Sequence, residues 1–366
     1  MEKKNYITAY GYFCTLVVTV VGIGIFSYPK EVSTWVGGDA WIITILIGII
    51  NIILIKFLLG AMARNGNKQI TFIARRNMGK VIGGIVLLIM SIGTIVCISL
   101  GMRIFVEVIK MYLLYKTPTE FLIVITILSG WYAVRSGIRS MVKFNEISFW
   151  LMFIPIIIIF MFAFTISDFT NILPIFNKPA ANYINVIPYT LFAFGGMEIL
   201  YIITPILKDC NKAFKYAYKG MIFVTLFYVF VTVLCIAVFS QYETPKLLWP
   251  TITMVKSINI PGSLVERWDG LVLAMWMIFY FTIFANGFSF SSTLLSDAVS
   301  IGDVKIASFI LIPIIYFIAM YPSNIAEIYD STYKVASVVY CINFIFVPLL
   351  LYLTSKRKSV KEAENQ

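Results

Sequence analysis

The stretch Gly22-Ile23-Gly24-Ile25-Phe26 lies near the middle of an apolar segment that covers residues 6–36. As a helix, a segment of this length would extend about 46 Å, well beyond the ~30 Å hydrocarbon core of a bilayer. Glycine loses backbone entropy in a helix and adopts positive φ readily, so closely spaced glycines favour a break. The stretch Phe194-Gly195-Gly196-Met197-Glu198 interrupts a second apolar segment, residues 184–207, in the same way. Two interrupted membrane helices are therefore predicted.

The composition indicates a protein whose surface faces lipid. Of the 366 residues, 60% are hydrophobic and only 13% are charged, whereas soluble domains carry about 25% charged residues. Apolar runs that are long enough to cross a bilayer recur along the whole chain. We predict an all-α polytopic membrane protein that forms a single transmembrane domain over residues 1–366. Its predicted spans, about ten in number, are residues 6–36, 40–63, 81–102, 121–134, 144–166, 184–207, 217–240, 268–292, 306–321 and 334–354.

The distribution of basic residues predicts the orientation of these spans. With the N-terminus in the cytoplasm, most of the 29 Lys and Arg residues fall in inside segments, as the positive-inside rule requires. An even number of spans returns the C-terminus to the cytoplasm, where residues 355–366 form a basic tail. The net charge of +11 is thus explained by basic residues that orient the spans in the lipid bilayer. No nucleic-acid partner is predicted.

The residue types that most enzyme sites need are missing from the sequence. It contains no histidine, and its five cysteines are scattered without a CxxC pair. Zinc sites and Ser-His or Cys-His nucleophiles therefore lack their usual parts. Apolar packing is the more common role of such cysteines. We predict that the chain is not an enzyme and holds no metal and no cofactor.

The two interruptions fall in the first and the sixth span, which is the pattern of an inverted-repeat transporter fold. Five spans within residues 6–166 would form one repeat, and five within residues 184–354 the other. An unwound helix exposes N–H groups that bind a carboxylate and carbonyl groups that hold an ammonium ion or another cation. The alternative is that the glycines only let neighbouring helices approach closely.

Glu198 places a carboxylate near the middle of the sixth span. A central charge costs about 3 kcal/mol for membrane insertion, and such residues usually face a cavity or a partner. One hypothesis is that Glu198 lines a binding site, where it receives a substrate ammonium group, a cation or a proton. The other is that it makes a structural hydrogen bond that locks the unwound segment.

Polar residues on two other spans are further candidates. Ser91 and Thr94 on the third span could face a central cavity or bond to the carbonyl group four residues earlier. Asn286 on the eighth span could coordinate a cation or tie two helices together. The outside segment 241–267 contains the apolar runs 247–250 and 252–260, the second of which is interrupted by Lys256 and Asn259. This pattern predicts a helix lying at the outer membrane interface.

Besides the two glycine stretches, the sequence contains Pro29, the run 103–109, Thr117-Pro118, Tyr132-Ala133, Gly137-Ile138, Asn171-Ile172-Leu173-Pro174 and Val265-Glu266-Arg267-Trp268-Asp269 with Trp276. Together these motifs resemble the spore germination permease family, the B-type subunit of nutrient germinant receptors in endospore-forming bacteria. That family belongs to the amino acid/polyamine/organocation transporter superfamily. Where the family often has Gln near the start of the first span, this chain has Tyr10.

The resemblance implies a leucine-transporter-like fold with broken helices one and six, in the inner membrane of the spore. It also implies a small nutrient as ligand, typically an amino acid, and A-type and C-type germinant receptor subunits as partners. The binding pocket would lie at the broken helices, with walls from helices three and eight. Carried onto this chain, the ligand-binding residues are Gly22, Ile23, Gly24, Ile25, Ser91, Thr94, Phe194, Gly195, Gly196, Glu198 and Asn286.

Two functions are compatible with these observations. In the first, the chain is a ligand-sensing receptor subunit, and nutrient binding shifts the equilibrium between two arrangements of the half-helices to trigger germination. In the second, the chain is a proton- or sodium-coupled amino-acid transporter. Sequence separates the two poorly because the same fold serves both.

Overall fold

The computed structural model describes residues 6–22, 24–258 and 268–364, and in this part of the chain the regular secondary structure is helical. Ile7 and Leu207 form an isolated backbone bridge without a strand. The prediction of an all-α protein is confirmed. The helices are α1 (Ala9–Val20), α2 (Gly24–Val36), α3 (Ala40–Arg64), α4 (Ile70–Tyr112), α5 (Thr119–Arg135), α6 (Ile138–Ala163), α7 (Ala180–Leu191), α8 (Leu200–Ile203), α9 (Ala213–Glu243), α10 (Pro250–Ser257), α11 (Trp268–Ala298), α12 (Val304–Met320), α13 (Ile325–Cys341) and α14 (Val347–Glu364).

Six helical stretches of the described residues are long and apolar enough to cross a membrane. They are Gly24–Arg64, Ile70–Tyr112, Ile138–Ile166, Cys210–Lys246, Val272–Ala298 and Ile325–Ser355. Three shorter apolar helical stretches are Ala9–Val20, Met197–Ile206 and Val304–Met320. Exposed residues such as Ile53, Ile147, Phe309 and Phe317 are apolar, as expected where side chains contact lipid. The chain is an integral membrane protein.

Helix α1 lies at the centre of the bundle. Thr8 caps its first turn, because the Thr8 hydroxyl oxygen accepts the Gly11 N–H at 2.9 Å. Nine of the twelve residues of α1 are buried, and α6, α9 and α11 pack around it. Since α1 has no lipid-facing stripe of its own, it is held by contacts with other helices, and its polar side chains are satisfied inside the protein.

Helix α4 is longer than the predicted span 81–102. It begins at Ile70 and bends at Gly79, which has a φ of +83°. Beyond residue 102 it continues to Tyr112, so Arg103 and Glu107 lie on the helix and form an ion pair at 3.2 Å. Lys110 instead donates to the Thr119 hydroxyl at 2.6 Å. The three residues therefore lie on the continuous helix α4, and the Arg103–Glu107 pair is mostly buried.

Helix α10 is buried, so the expectation of a helix lying on the outer membrane interface is wrong. Trp249, just before α10, is buried, and its indole N–H donates to the Tyr329 hydroxyl at 2.7 Å. Thr251 donates to the Ile25 carbonyl oxygen at 2.7 Å. The hydrophobic residues that suggested a lipid contact are covered by α2, α9 and α11 instead. The motif residues Glu266 and Arg267 lie outside the described residues.

Candidate ligand-binding site

The predicted first span, residues 6–36, is interrupted between α1 and α2. Helix α1 ends at Val20, and the following Val21 has an extended backbone with a ψ of 101°. Helical hydrogen bonding resumes where the Ile25 N–H donates to the Gly22 carbonyl oxygen at 3.3 Å. Ile23 itself lies outside the described residues. The break therefore falls on the predicted glycine stretch.

The predicted sixth span, residues 184–207, is interrupted by a series of short turns. Helix α7 ends at Leu191, and 3-10 turns follow at Phe192–Phe194 and Met197–Ile199. Between these turns, Gly196 has a φ of +103°, a conformation that residues with a Cβ atom rarely adopt. Helix α8 begins at Leu200, after these turns. The break therefore falls on the predicted glycine stretch.

The two interruptions touch each other at Thr19 and Gly196. A Cβ atom on Gly196 would lie 2.5 Å from the Thr19 carbonyl oxygen, far inside van der Waals contact. Only a glycine allows the two backbones to come this close in this conformation. The contact fixes the distance between the two broken helices.

A cavity of about 180 Å³ lies where the two interruptions meet, and we call it the central cavity. Pockets for drug-sized ligands have volumes of about 300–1,000 Å³. The central cavity is smaller than these pockets and therefore suits a smaller molecule. Its wall consists of Thr19, Val20, Gly22, Gly24, Cys97, Ile98, Gly101, Ala193, Gly195, Gly196, Glu198, Tyr280, Ile283, Gly287, Thr332, Ala336, Val339, Tyr340, Asn343 and Phe344.

Glu198 is the one charged side chain among the described residues of that wall. Its carboxylate oxygen Oε2 accepts the N–H of Gly196 at 3.0 Å. The interruption of the helix leaves the Gly196 N–H without a helical partner, and the Glu198 carboxylate satisfies it. The hydrogen bond therefore stabilises the turn in which Gly196 has a positive φ. The structural hydrogen bond that was one of the two hypotheses for Glu198 is therefore present. The Glu198 side chain is also part of the cavity wall, as the other hypothesis requires.

The predicted site residues divide into two groups. Five of them lie on the cavity wall: Gly22, Gly24, Gly195, Gly196 and Glu198. Ile25 is buried away from the cavity, next to α10. The ring of Phe194 packs against the rings of Tyr28 and Tyr228, with centroids 6.2 and 4.9 Å away. The glycines thus supply backbone to the cavity, whereas Ile25 and Phe194 are buried in the core.

Ser91, Thr94 and Asn286 also lie off the cavity wall. The Ser91 hydroxyl donates to the Ser291 carbonyl oxygen at 2.8 Å and so ties α4 to α11. Thr94 is buried, and its hydroxyl has no hydrogen-bond partner in the described part of the chain. Asn286 donates to the Thr19 hydroxyl at 2.7 Å. Two of the three therefore join helices together.

Asn286 belongs to a buried polar network that joins α1, α6 and α11. Its side-chain oxygen accepts an N–H of Asn145 at 3.1 Å, and Asn145 also donates to the Thr15 hydroxyl at 3.3 Å. The Thr19 hydroxyl donates in turn to the Thr15 carbonyl oxygen at 2.5 Å. Because Thr19 also lines the central cavity, the network holds one edge of the cavity in place.

We expect Asn286→Ala to lower the free energy of unfolding by about 1–3 kcal/mol, because Asn145 and Thr19 would lose a buried partner. Thermal unfolding in detergent micelles measures the change. Thr293→Ala is the matched control, since Thr293 bonds only to Ser289 of its own helix in the contacts described and should shift stability by less than about 0.5 kcal/mol. Equal shifts for the two variants would contradict the network's role.

Sequence reasoning missed the wall that α13 supplies. Thr332, Tyr340 and Asn343 line the cavity, and Asn343 lies in a π-helical turn at Ile342–Phe346. The Tyr201 hydroxyl donates to the Asn343 carbonyl oxygen at 2.8 Å. The Asn343 side-chain oxygen is buried without a partner among the described residues. π-Helical turns are frequent at functional sites, but this one leaves no distinct pattern in the sequence.

Comparison with known proteins shows the family of this chain. A sequence profile described as "Spore germination protein" matches residues 6–328. The chain belongs to the spore germination permease family. It is 25% identical to spore germination protein B2 of Bacillus subtilis (strain 168) over 85% of each chain. It is likewise 25% identical to spore germination protein A2 of the same strain, over 91% of this chain and 89% of that one.

A third relative is spore germination protein GerQB of Bacillus cereus, which is 26% identical over 75% of each chain. The resemblance found in the sequence motifs is thus confirmed over most of the length. Spore germination permeases are receptor subunits and not enzymes, so the prediction that the chain is not an enzyme is confirmed.

Proposed function

We propose that this chain is the ligand-sensing subunit of a nutrient germinant receptor, and that an amino acid binds in its central cavity. The proposal rests on the central cavity, which lies where the two interrupted helices meet and has one carboxylate, that of Glu198, on its described wall. The chain acts in the inner membrane of the spore, with both termini in the cytoplasm. A-type and C-type receptor subunits are its partners and respond to its change of conformation.

The proposal includes ten membrane crossings in a five-plus-five, leucine-transporter-like arrangement. Ten helical units support it: α1 with α2, α3, α4, α5, α6, α7 with α8, α9, α11, α12, and α13 with α14. The first and the sixth of these units are the interrupted ones. Residues 6–166 and 184–354 are the two repeats of a single transmembrane domain, which residues 355–366 follow as a cytoplasmic tail.

The chemistry of the wall supports an amino acid as ligand. Glu198 offers a carboxylate to the ligand's ammonium group, and a charge-assisted hydrogen bond is the stronger kind. Backbone N–H groups at the start of a half-helix, as at Gly24, favour the ligand's carboxylate. Val20, Ile98, Ile283 and other apolar residues surround the remaining space and suit an uncharged aliphatic side chain.

We expect Gly24→Ala to weaken the binding of an amino acid with a branched side chain about tenfold more than the binding of one with a small side chain. The reason is that a single methyl group in a tight pocket changes relative affinities by about this factor. The new Cβ would lie 3.7 Å from Ala193 and Tyr228, an ordinary contact, so the protein should fold. Calorimetric titration measures the ratio. Gly60→Ala is the control, since nothing lies within 4 Å of that position. An unchanged ratio in Gly24→Ala would contradict the assigned location.

Purified protein in liposomes distinguishes sensing from transport. A panel of labelled aliphatic amino acids is applied from outside, with and without proton or sodium gradients. The proposal expects saturable binding without accumulation inside the liposomes. Gradient-driven accumulation would instead favour a proton- or sodium-coupled amino-acid transporter. In parallel, spores that lack this chain should lose the germination response to the amino acid that binds.

A further inference from the structure

A second cavity, of about 610 Å³, lies between α2, α7 and the start of α13, and we call it the vestibule. Its wall includes Glu31, Trp35, Tyr189, Tyr329 and Tyr333. In the proposed orientation it lies at the outer end of the first span. The predicted site included none of these residues, and the vestibule is therefore a separate feature of the molecule.

A smaller cavity of about 100 Å³ lies between the vestibule and the central cavity. It shares Gly24, Gly101 and Thr332 with the central cavity. It shares Ser27, Glu31, Tyr329 and Tyr333 with the vestibule. The three cavities thus form a series, in which Glu31 and the two tyrosines separate the two larger spaces.

Two pairs of stacked aromatic rings contribute to the vestibule wall. Trp35 and Tyr189 stack with ring centroids 5.2 Å apart, and Tyr329 and Tyr333 with centroids 6.1 Å apart. The Trp249 indole holds the Tyr329 hydroxyl at 2.7 Å. Rings fixed in this way present electron-rich faces, which attract cations and interact most strongly with organic ammonium groups when water is excluded.

Glu31 adds a negative charge to this aromatic wall. Ser27 and Tyr333 bring hydroxyl groups to the same wall. No ion pair within 4 Å involves Glu31 in the described ranges of the chain. Lys30 also lines the vestibule, and its charge acts on the Glu31 carboxylate, although no close ion pair joins the two side chains. In the described part of the chain, the vestibule wall therefore offers a carboxylate without an ion pair within 4 Å, beside one lysine that is farther away.

We propose that the vestibule is a second ligand site, which binds a small organic ammonium ion between the Glu31 carboxylate and the aromatic rings. Hard inorganic cations need several oxygen ligands, whereas this wall offers one carboxylate, a few hydroxyls and four rings. The chemistry selects a cation with an apolar surface. The site does not depend on the proposed nutrient site, since it uses a different carboxylate and different walls.

Calorimetric titration of the purified full chain with choline tests the proposal. The neutral compound 3,3-dimethylbutan-1-ol has nearly the same shape as choline without its charge. We expect choline to bind at least tenfold more tightly than the alcohol. Failure of choline to bind, or equal binding of the two compounds, would overturn the proposal.

Variants locate the binding. Glu31→Gln keeps the size of the side chain and should weaken choline binding at least tenfold. Lys30→Gln should strengthen it several-fold, because a repelling charge is removed. Glu198→Gln, in the central cavity, should leave it within twofold. If Glu198→Gln weakened choline binding as much as Glu31→Gln, the cation would belong to the central cavity and the proposal would fail.

A second wall variant keeps the test valid if Glu31→Gln does not fold. Tyr189→Leu removes one ring of the stacked pair without touching any buried charge. We expect it to weaken choline binding about fivefold and to leave binding of the neutral alcohol unchanged. If Tyr189→Leu weakened the binding of choline and of the neutral alcohol equally, the variant would have changed only the shape of the vestibule. That result would contradict a cation site.

Discussion

Replacement of Gly196 by alanine is expected to abolish amino-acid binding and to lower the free energy of unfolding by at least about 3 kcal/mol. Two costs combine in this variant. The φ of +103° strains any residue that has a Cβ atom, at about 1–3 kcal/mol. The Cβ atom would also lie 2.5 Å from the Thr19 carbonyl oxygen, so the two broken helices would have to move apart.

Gly302→Ala is the matched control for this prediction. Gly302 also has a positive φ, of +77°, but nothing lies within 4 Å of its Cβ position. It therefore carries the conformational cost without the clash and should keep full amino-acid binding. Thermal unfolding and calorimetric titration of both variants separate the two costs. Similar losses in both variants would contradict the close approach of Thr19 and Gly196.

Replacement of Glu198 by glutamine is expected to weaken amino-acid binding by about 10- to 100-fold while the protein stays folded. A hydrogen bond to a charged group contributes about 1.5–3 kcal/mol, which corresponds to this range. Glutamine removes the charge but keeps a side-chain oxygen that can accept the Gly196 N–H, the bond seen at 3.0 Å. The variant therefore separates the two roles of Glu198.

Glu198→Ala completes this comparison, because alanine removes the charge and the hydrogen-bond acceptor. It should lose binding as the glutamine variant does and, in addition, lower the free energy of unfolding by about 1–3 kcal/mol, since the Gly196 N–H loses its partner. Calorimetric titration and thermal unfolding measure both effects. If Glu198→Gln bound the amino acid as tightly as the unchanged chain, Glu198 would have a structural role alone.

Local signals in the sequence predicted the interruptions but not most of the cavity wall. Paired glycines act on their own backbone, and the breaks at Gly22–Gly24 and Gly195–Gly196 follow directly from them. Glu198 was found because a charge in the middle of a span is costly. Cys97, Tyr280 and Asn343 reach the cavity only because distant helices pack together, and a single span carries no signal for that arrangement.

Glu31 shows a second limit of sequence reasoning. It lies near the end of the first span, where a charged side chain can extend to water at little cost. Only the packing of α7 against α2, and the position of α13 at the same cavity, show that Glu31 lies among aromatic side chains. The contacts of α10 with α2, α9 and α11 likewise place α10 inside the protein, where the sequence pattern suggested the membrane interface. Both differences come from tertiary contacts that hydrophobic length cannot reveal.

The binding of an amino acid in the central cavity is tested most directly by the protection of Cys97. This thiol is part of the cavity wall, so a bound amino acid should shield it from reagents. The variant for this experiment keeps Cys97 and carries alanine at the other four cysteine positions, 14, 210, 235 and 341. Alkylation by a small maleimide is followed by mass spectrometry as the amino acid is titrated.

We expect a saturating amino acid to slow the alkylation of Cys97 at least tenfold, with a midpoint equal to the dissociation constant from calorimetry. The same variant with Glu198→Gln should need about 10- to 100-fold more amino acid for equal protection. If the alkylation rate of Cys97 stays constant while the amino acid saturates the protein, the ligand binds elsewhere. That result would contradict the assignment of the central cavity as the nutrient site.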